Sequence, residues 1–226
     1  MTAVVHVVDD DASFRTAVGR QLRMAGYEVV AYENAAELLE RLPTATTRSC
    51  IILDVRIPGM SGPELQQRLS ELGANLPIIF LTGHSDIPLT VRAIKAGAED
   101  FLIKPVPGSV LVEAIERAIA NYRVRRDREG EISTLRGRLE SLTLREREVF
   151  QLIVHGKLNK QIAHELAITE RTVKAHRHST MEKLKAHSLL ELVLVADCLE
   201  VLSRSDRDAM LERSLKEANE EAGTAR

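Results

Sequence analysis

The sequence predicts an α/β domain with a five-stranded, doubly wound parallel sheet, joined by a helical linker to an all-α domain. Over about the first 120 residues, short apolar segments alternate with segments whose apolar residues recur at helical spacing. A stretch of dense charge follows, and the residues beyond it show helical periodicity only. Uninterrupted apolar strands are typical of parallel sheets that helices cover on both faces.

Each predicted strand is short, and a helical pattern follows it. The strands run over residues 4–8, 28–32, 50–53, 78–81 and 100–103. The helices run over residues 14–24, 35–42, 63–72, 87–96 and 109–122. These five β/α pairs make up the first domain, residues 1–122. In sheets of this kind, functional groups gather just beyond the carboxyl ends of the strands.

Residues 123–141, which read RVRRDREGEISTLRGRLES, separate the two domains. A heptad register continued from the preceding helix puts Arg125, Glu129 and Arg136 at three of its five core positions. This argues against a coiled coil, and Gly130 interrupts the pattern. We therefore expect a solvated helical linker. The apolar residues expected to pack onto the second domain are Ile132, Leu135, Leu139 and Leu142.

The second domain comprises residues 142–196, and residues 197–226 form an acidic tail that is helical at first and frayed at its end. No apolar run approaches the roughly 18–20 residues that a membrane-spanning helix needs. The start, MTAVVHVVDDD, has no basic segment, so we expect no signal peptide and a cytoplasmic protein. The 2 cysteines argue against a disulfide framework or a thiolate zinc site.

Charge is distributed unevenly between the two domains. Residues 1–120 carry 11 basic and 15 acidic side chains, a net of −4. Residues 143–196 carry 9 basic and 6 acidic side chains, a net of +3, with five histidines. Such a difference is compatible with ordinary surface variation. It also fits an acidic module joined to a mildly basic one that binds nucleic acid.

Polar residues stand where four of the predicted strands end. Asp9 and Asp10 follow the first strand, Asp54 the third, Thr82 the fourth and Lys104 the fifth. Carboxylates crowded at one edge repel one another, and a hard divalent ion such as Mg²⁺ relieves that repulsion. A carboxylate beside Mg²⁺ and an ammonium group is well placed to attack phosphorus. Any one of these acids could be a helix cap, but the whole set favours a phosphoryl-transfer site.

Four motifs carry a resemblance to a known family: VVDDD, ILDVRIPGMSG, IIFLTGH and DFLIKP. Each motif is weak alone, and together they are highly specific. Residues 3–122 resemble a receiver domain of the CheY-like type, which has a flavodoxin-like fold. The resemblance implies that Asp54 is the phosphoacceptor and that Mg²⁺ is the cofactor. The implied metal ligands are Asp9, Asp10, Asp54 and the backbone carbonyl of Arg56.

The same resemblance assigns the residues that respond to phosphorylation. Thr82 is the implied switch hydroxyl, Phe101 the switch aromatic and Lys104 the phosphate-pairing lysine. Phe101 stands where tyrosine is commoner, so a hydrogen bond from a hydroxyl at that position is absent. The resemblance also implies a cis bond between Lys104 and Pro105. It places Arg56 and His84 beside the incoming phosphodonor or water, although both are equally compatible with solvent-facing loop residues.

The second domain contains the pattern of a helix-turn-helix unit. Residues 161–166 form a short helix, 167–168 a tight turn, and Thr169 is a good N-cap for the next helix. An apolar face of Leu144, Val149, Leu152 and Ile153 precedes them, in a helix that Gly156 ends. On the last helix we expect Val173, Thr180 and Lys183 on the solvent side, and Met181 and Leu184 inside.

A basic helix of this kind suits insertion into the major groove of DNA, although the same pattern fits a solvated helix in a small bundle. The motifs LTLREREV, GKLNKQIA and TVKAH make the segment similar to the LuxR/FixJ-type helix-turn-helix. The resemblance implies a phosphate contact by Lys160 and groove contacts by the last helix. The predicted DNA-binding residues are Lys160, Arg171, Thr172, Val173, Lys174, His176 and Arg177.

The two resemblances together imply a two-component response regulator and not an enzyme. A sensor histidine kinase would phosphorylate Asp54, and phosphorylation would control homodimerisation and binding to double-stranded DNA, with RNA polymerase as a further partner. One alternative is a Mg²⁺-dependent aspartyl-phosphate phosphatase of the haloacid-dehalogenase type, but that chemistry needs an acid where Arg56 stands. Another is a receiver that signals through protein contacts only.

Overall fold

The computed structural model of the protein describes residues 2–42, 48–83, 94 and 96–201. The chain forms two compact units, divided between Arg126 and Asp127. None of the described helices combines the length and the apolar character that a membrane-spanning helix needs.

The first unit is built on the predicted parallel sheet. Its strands are β1 (Val4–Val8), β2 (Glu28–Tyr32), β3 (Ser49–Asp54), β4 (Ile78–Thr82) and β5 (Asp100–Ile103). They are all parallel and lie in the order β2-β1-β3-β4-β5. The four strands that end in the predicted site residues are therefore consecutive neighbours in the sheet, which brings those ends to one edge.

Four described helices belong wholly or partly to this unit: α1 (Ala12–Met24), α2 (Ala35–Glu40), α3 (Gly62–Glu71) and α4 (Gly108–Glu140). The side chain of Asp11 caps α1 by accepting hydrogen bonds from the backbone N–H groups of Ser13 and Phe14. Ser61 and Glu64 form a reciprocal capping box at the start of α3. The helix predicted over residues 87–96 falls mainly outside the described residues.

Side chains of the central strands are buried on both faces of the sheet. Ile51 and Leu53 of β3 belong to the cluster that includes Leu38 of α2 and Leu65 of α3. Ile52 of the same strand points the other way, into the cluster formed with α1 and α4. Burial on both faces accounts for the apolar strands in the sequence.

The expected interruption at Gly130 is wrong, because α4 is one helix of 33 residues that runs through this glycine. A glycine inside a helix costs about 1 kcal/mol relative to alanine. Good helix formers such as Arg128, Glu129 and Glu131 surround it, and their propensity offsets that cost.

The second unit contains α5 (Leu144–Val154), α6 (Asn159–Glu165), α7 (Glu170–Leu184) and α8 (Leu189–Cys198). These helices enclose one apolar core that includes Val149, Phe150, Ile162 and Leu192. Leu142 and Leu139 pack against this core as expected. Leu144 was expected on the apolar face of α5, but it is 83% exposed because it occupies the first helical position, outside the packed turns.

Candidate functional site

The strand ends bring together the predicted acids and the lysine. Lys104 Nζ lies 2.5 Å from Asp9 Oδ2 and 2.5 Å from Asp54 Oδ2. Carboxylate oxygens of Asp9, Asp10 and Asp54 lie within 4.8 Å of one another. Thr82 ends the neighbouring strand β4 and is buried. Residues that are up to 95 positions apart in the chain thus form one acid site with one cation.

Burial and hydrogen bonding act against each other in this site. Burial raises the pKa of Asp9, and hydrogen bonds from Lys104 and from the backbone N–H of Asp11 partly offset that rise. Burial alone would lower the pKa of Lys104, but its hydrogen bonds to Asp54 and Asp9 outweigh this, and the pKa is raised. Lys104 therefore stays protonated beside the two carboxylates.

Two residues of α1 that sequence reasoning did not single out support the site. Lys104 Nζ lies 4.1 Å from the centre of the Phe14 ring, a cation–π contact. Arg15 Nη1 donates a 2.6 Å hydrogen bond to the backbone carbonyl of Asp9. Phe14 is the first residue of the helix predicted over residues 14–24. Its position one turn after the acid pair was the available signal.

The backbone around Asp54 is closely packed. Arg56 N–H donates a 3.0 Å hydrogen bond to Asp54 Oδ1, while the Arg56 side chain is exposed. A Cβ atom added at Gly62 would lie 2.7 Å from the Asp54 carbonyl oxygen and 2.8 Å from the Phe80 ring. Only glycine lets α3 begin this close to the end of β3, so Gly62 helps to hold Asp54 in place.

The predicted switch aromatic, Phe101, is half-buried in β5. Its ring centre lies 6.3 Å from that of Phe80, in a tilted arrangement. The bond between Lys104 and Pro105 is cis, as predicted. His84, the other predicted neighbour of the phosphodonor, lies outside the described residues.

The donor atoms at the site match the preferences of Mg²⁺. The three carboxylates are hard oxygen ligands, and their mutual distances suit a single ion. Asp10 is exposed and Asp54 half-buried, so retained waters can complete the coordination shell. The residues present therefore fit the predicted cofactor.

The second unit has the expected helix-turn-helix. Ala167, with φ 53°, makes the left-handed turn after α6, and Thr169 Oγ1 caps α7 by accepting a hydrogen bond from the backbone N–H of Thr172. Arg177 Nη1 lies 3.4 Å from Asn159 Oδ1, which links α7 to α6. Lys160 is exposed on α6.

One face of α7 points to solvent. Three residues that were expected on this face, Val173, Thr180 and Lys183, are not exposed. Val173 and Thr180 are fully buried, so placing Val173 against DNA is wrong. The exposed residues of α7 are Glu170, Arg171, Lys174, Ala175, His178 and Glu182. Lys183, expected on the solvent side, is half-buried. Thr172, His176 and Arg177 are also half-buried at the margins of this face.

Ala175 and His178 are exposed residues that the predicted set omitted. Arg171, Lys174, Ala175 and His178 are spaced by three, one and three residues, the spacing of one helix face. Extending that spacing from Arg171 was the signal that could have identified them.

The chain joins two kinds of domain: a parallel α/β domain with carboxylates at its strand ends, and a helix-turn-helix domain. This combination defines a class of signalling protein in which a receiver domain controls a DNA-binding domain. Residues 5–116 match the response regulator receiver domain, and residues 140–196 match the bacterial regulatory proteins of the luxR family. The chain belongs to the transcriptional response regulators of two-component systems. Its two domains imply a sensor kinase and DNA as partners.

Similar proteins align with this chain along most of their length. Nodulation protein W of Bradyrhizobium diazoefficiens is 43% identical over 198 residues, which cover 87% of this chain and 86% of that protein. Transcriptional regulatory protein FixJ of Rhizobium meliloti is 41% identical over 192 residues, covering 85% of this chain and 94% of FixJ. A low-resolution structure of the response regulator StyR is 45% identical, with a TM-score of 0.74, and covers 87% of this chain and 99% of StyR.

Proposed function

We propose that Asp54 accepts a phosphoryl group from a sensor histidine kinase. The observation that carries this proposal is that Lys104 Nζ lies 2.5 Å from Asp54 Oδ2, beside the two further carboxylates of Asp9 and Asp10. Asp9 is the less suitable acceptor, because its side chain is 2% exposed against 13% for Asp54.

The chemistry at Asp54 is a phosphoryl transfer. A carboxylate oxygen attacks the phosphorus of the kinase phosphohistidine, the P–N bond breaks, and the histidine leaves. Lys104 neutralises charge on the transferred group, and the backbone N–H of Arg56 orients the carboxylate. Asp9, Asp10, Asp54 and the backbone carbonyl of Arg56 would hold Mg²⁺, which when bound offsets charge on the phosphoryl oxygens.

The output of this signal is DNA binding through the exposed face of α7. Arg171 and Lys174 provide positive charge for phosphates and guanine edges, and Ala175 can contact a thymine methyl group. Phosphorylation favours a homodimer, which suits a two-fold DNA site with half-sites one helical turn apart. Thr82 and Phe101 report the phosphorylated state by moving between two positions. The protein acts in the cytoplasm, where it reaches DNA and RNA polymerase.

The substitution Asp54→Asn tests this proposal. It removes the attacking oxygen without changing shape, so we expect no phosphate uptake from acetyl phosphate and an unchanged circular dichroism spectrum. Asp100→Asn, at the opposite end of the sheet, is the control and keeps full labelling. Mass spectrometry locates the label. Strong labelling of the Asp54→Asn protein at another residue would refute the assignment.

The same proteins test the link between phosphorylation and output. With acetyl phosphate and Mg²⁺ we expect the unsubstituted protein to shift to a dimer in sizing experiments and to bind selected DNA more tightly. The Asp54→Asn protein stays unresponsive in both measurements. A response of equal size in that variant would separate DNA binding from phosphorylation and contradict the proposal.

A further inference from the structure

Glu146 is a buried carboxylate outside both sites described so far. It lies in the first turn of α5 and is 5% exposed. Its Oε2 atom accepts a 2.7 Å hydrogen bond from the backbone N–H of Thr143 and a 2.6 Å hydrogen bond from Lys183 Nζ. Its Oε1 atom accepts a 2.6 Å hydrogen bond from Ser179 Oγ. One carboxylate therefore joins the start of α5 to the second half of α7.

The contacts on α7 form one face. Ser179 and Lys183 are one turn apart, and between them the buried Thr180 places its hydroxyl 3.5 Å from the Glu146 backbone carbonyl. Ser179 directly follows His178, the last basic residue of the exposed face. The hydrogen bond from Lys183, and to a smaller extent the one from Ser179, lowers the pKa of Glu146 to about 2. The carboxylate is therefore charged at every pH at which the protein works.

Helix capping explains only part of this arrangement. Thr143 and Glu146 form a capping box that satisfies two backbone N–H groups of α5. Glutamine fills the same role in capping boxes as glutamate. A neutral amide would therefore satisfy the cap, and the cap does not require a charge. The charge serves Lys183, whose ammonium lies 2.6 Å away on another helix.

We infer that Glu146 is a positioning residue for DNA recognition, which through Ser179 and Lys183 fixes the direction in which α7 presents its exposed face. The inference rests on the proposed contact of that face with DNA. A recognition group must be held to within about 0.5 Å to read base edges. The bridge supplies that rigidity at the end of α7 opposite to its Thr169 cap.

The test compares binding to a selected DNA site with binding to random DNA of equal length, by fluorescence anisotropy of the full-length protein at one salt concentration. Glu146→Gln keeps the cap and removes the charge, and Lys183→Met removes the cation. We expect each to weaken binding to the selected site by about tenfold, the size of losing one good base contact. Binding to random DNA changes less than about twofold, since few phosphate contacts are touched.

The two substitutions change the net charge in opposite directions, so a shared loss of specificity does not come from net charge. Lys183→Arg keeps the ion pair and is expected to restore specificity. Thr143→Ala removes the side-chain cap alone, and it is expected to lower the melting temperature while the ratio of specific to random binding stays constant. Arg145→Gln breaks an exposed ion pair within α5 and controls for loss of one positive charge.

Folded Glu146→Gln and Lys183→Met proteins with an unchanged ratio would overturn the inference. A Thr143→Ala protein with the same loss of specificity would overturn it as well, because capping of α5 alone would then explain the role of Glu146. If Glu146→Gln does not fold, the comparison of Lys183→Met with Lys183→Arg decides. Failure of the proposed function has a different signature, because the unsubstituted protein would then show no preference for any DNA.

Discussion

Val173 lies between Thr172 and Lys174, which are both predicted to contact DNA, yet its side chain is fully buried. Its neighbour Lys174 is exposed, and so is Ala175. A position on a helix turns by about 100° for each residue, so adjacent residues in a recognition motif need not share a face. The TVKAH motif thus combines a core residue with exposed residues, and only the burial of each side chain distinguishes them.

Lys174 is the residue of this motif best placed to contact DNA. We expect Lys174→Ala to weaken DNA binding and to reduce the salt dependence of binding by about one released ion if the contact is to a phosphate. Phosphate uptake at Asp54 stays unchanged. Binding titrations at several salt concentrations measure both effects, with Arg145→Ala on α5 as the control. If the Lys174→Ala protein binds DNA with the same affinity as the unsubstituted protein, the predicted contact between Lys174 and DNA is wrong.

His6 is a buried imidazole in β1 that accepts or donates one hydrogen bond at 3.0 Å with the Tyr32 hydroxyl. The two rings are stacked, with centres 5.8 Å apart. Burial lowers the pKa of His6 to about 4. The neutral form therefore persists in the folded protein well below the pH at which an exposed histidine is protonated.

This shift makes stability depend on pH in a defined direction. Between about pH 6.5 and pH 4 the unfolded chain binds a proton at His6 that the folded protein does not, so the free energy of unfolding rises with pH. The stabilisation is complete above about pH 6.5. Within the window it is lost by up to about 1.4 kcal/mol per pH unit as the pH falls. Urea unfolding of the protein and of His6→Gln, which keeps a hydrogen-bonding group but does not titrate, should show this difference. Parallel pH profiles for the two proteins would contradict it.

The start of α6 lacks the side-chain cap that begins α5, α7 and α8. Those three helices start after Thr143, Thr169 and Ser188, each of which accepts a backbone hydrogen bond. α6 starts after Leu158, which is 69% exposed and whose side chain contains no hydrogen-bond acceptor. The Gln161 side chain accepts a 2.8 Å hydrogen bond from the Leu158 N–H, so half of a capping box is present.

Completing that box is expected to stabilise the second unit. Leu158→Thr adds the missing acceptor and removes an exposed leucine, and we expect a gain of about 1 kcal/mol. In a domain of 60–100 residues this raises the melting temperature by roughly 4–8 °C. Calorimetry measures the shift. Leu158→Ala removes the leucine without adding an acceptor, so an equal gain in that variant would show that the cap is not the cause.

The receiver extends further along α4 than its sequence motifs do. The family match ends at residue 116, but Ala118 and Tyr122 are 1% and 7% exposed. Beyond them, Arg125 Nη2 lies 2.8 Å from Glu99 Oε1, directly before β5. Two compact units divided after Arg126 are consistent with these contacts. Residues 117–126 of α4 therefore belong to the receiver fold.

A comparison of receiver fragments tests this extension. A fragment of residues 1–126 is expected to be more stable than one of residues 1–116 by about 3 kcal/mol or more, because loss of a buried aromatic side chain alone has that effect. Extension to residue 140 is expected to add little. Urea unfolding of the three fragments measures the differences. Equal stability of the two shorter fragments would place the end of the receiver at residue 116.

Periodicity and motifs in the sequence determined the order of the elements and the identity of the acid site. Fully apolar strands must be buried on both faces, and parallel strands end at one edge of the sheet. The first constraint follows from the local sequence of each strand, and the second follows from the topology of a parallel sheet. They placed Asp9, Asp54 and Lys104 together without coordinates, and the structure brings the three side chains into contact.

Tertiary packing decided what local patterns leave open. The motif TVKAH does not reveal that Val173 is in the core, because burial depends on how α7 packs against the other helices. The spacing of Thr143 and Glu146 is typical of a capping box, but the contacts of Glu146 with Ser179 and Lys183 arise only because α7 packs against α5. A side chain's sequence neighbours set its conformational preferences, whereas its contacts depend on segments that are distant in the chain, and those contacts determine which groups can reach a ligand.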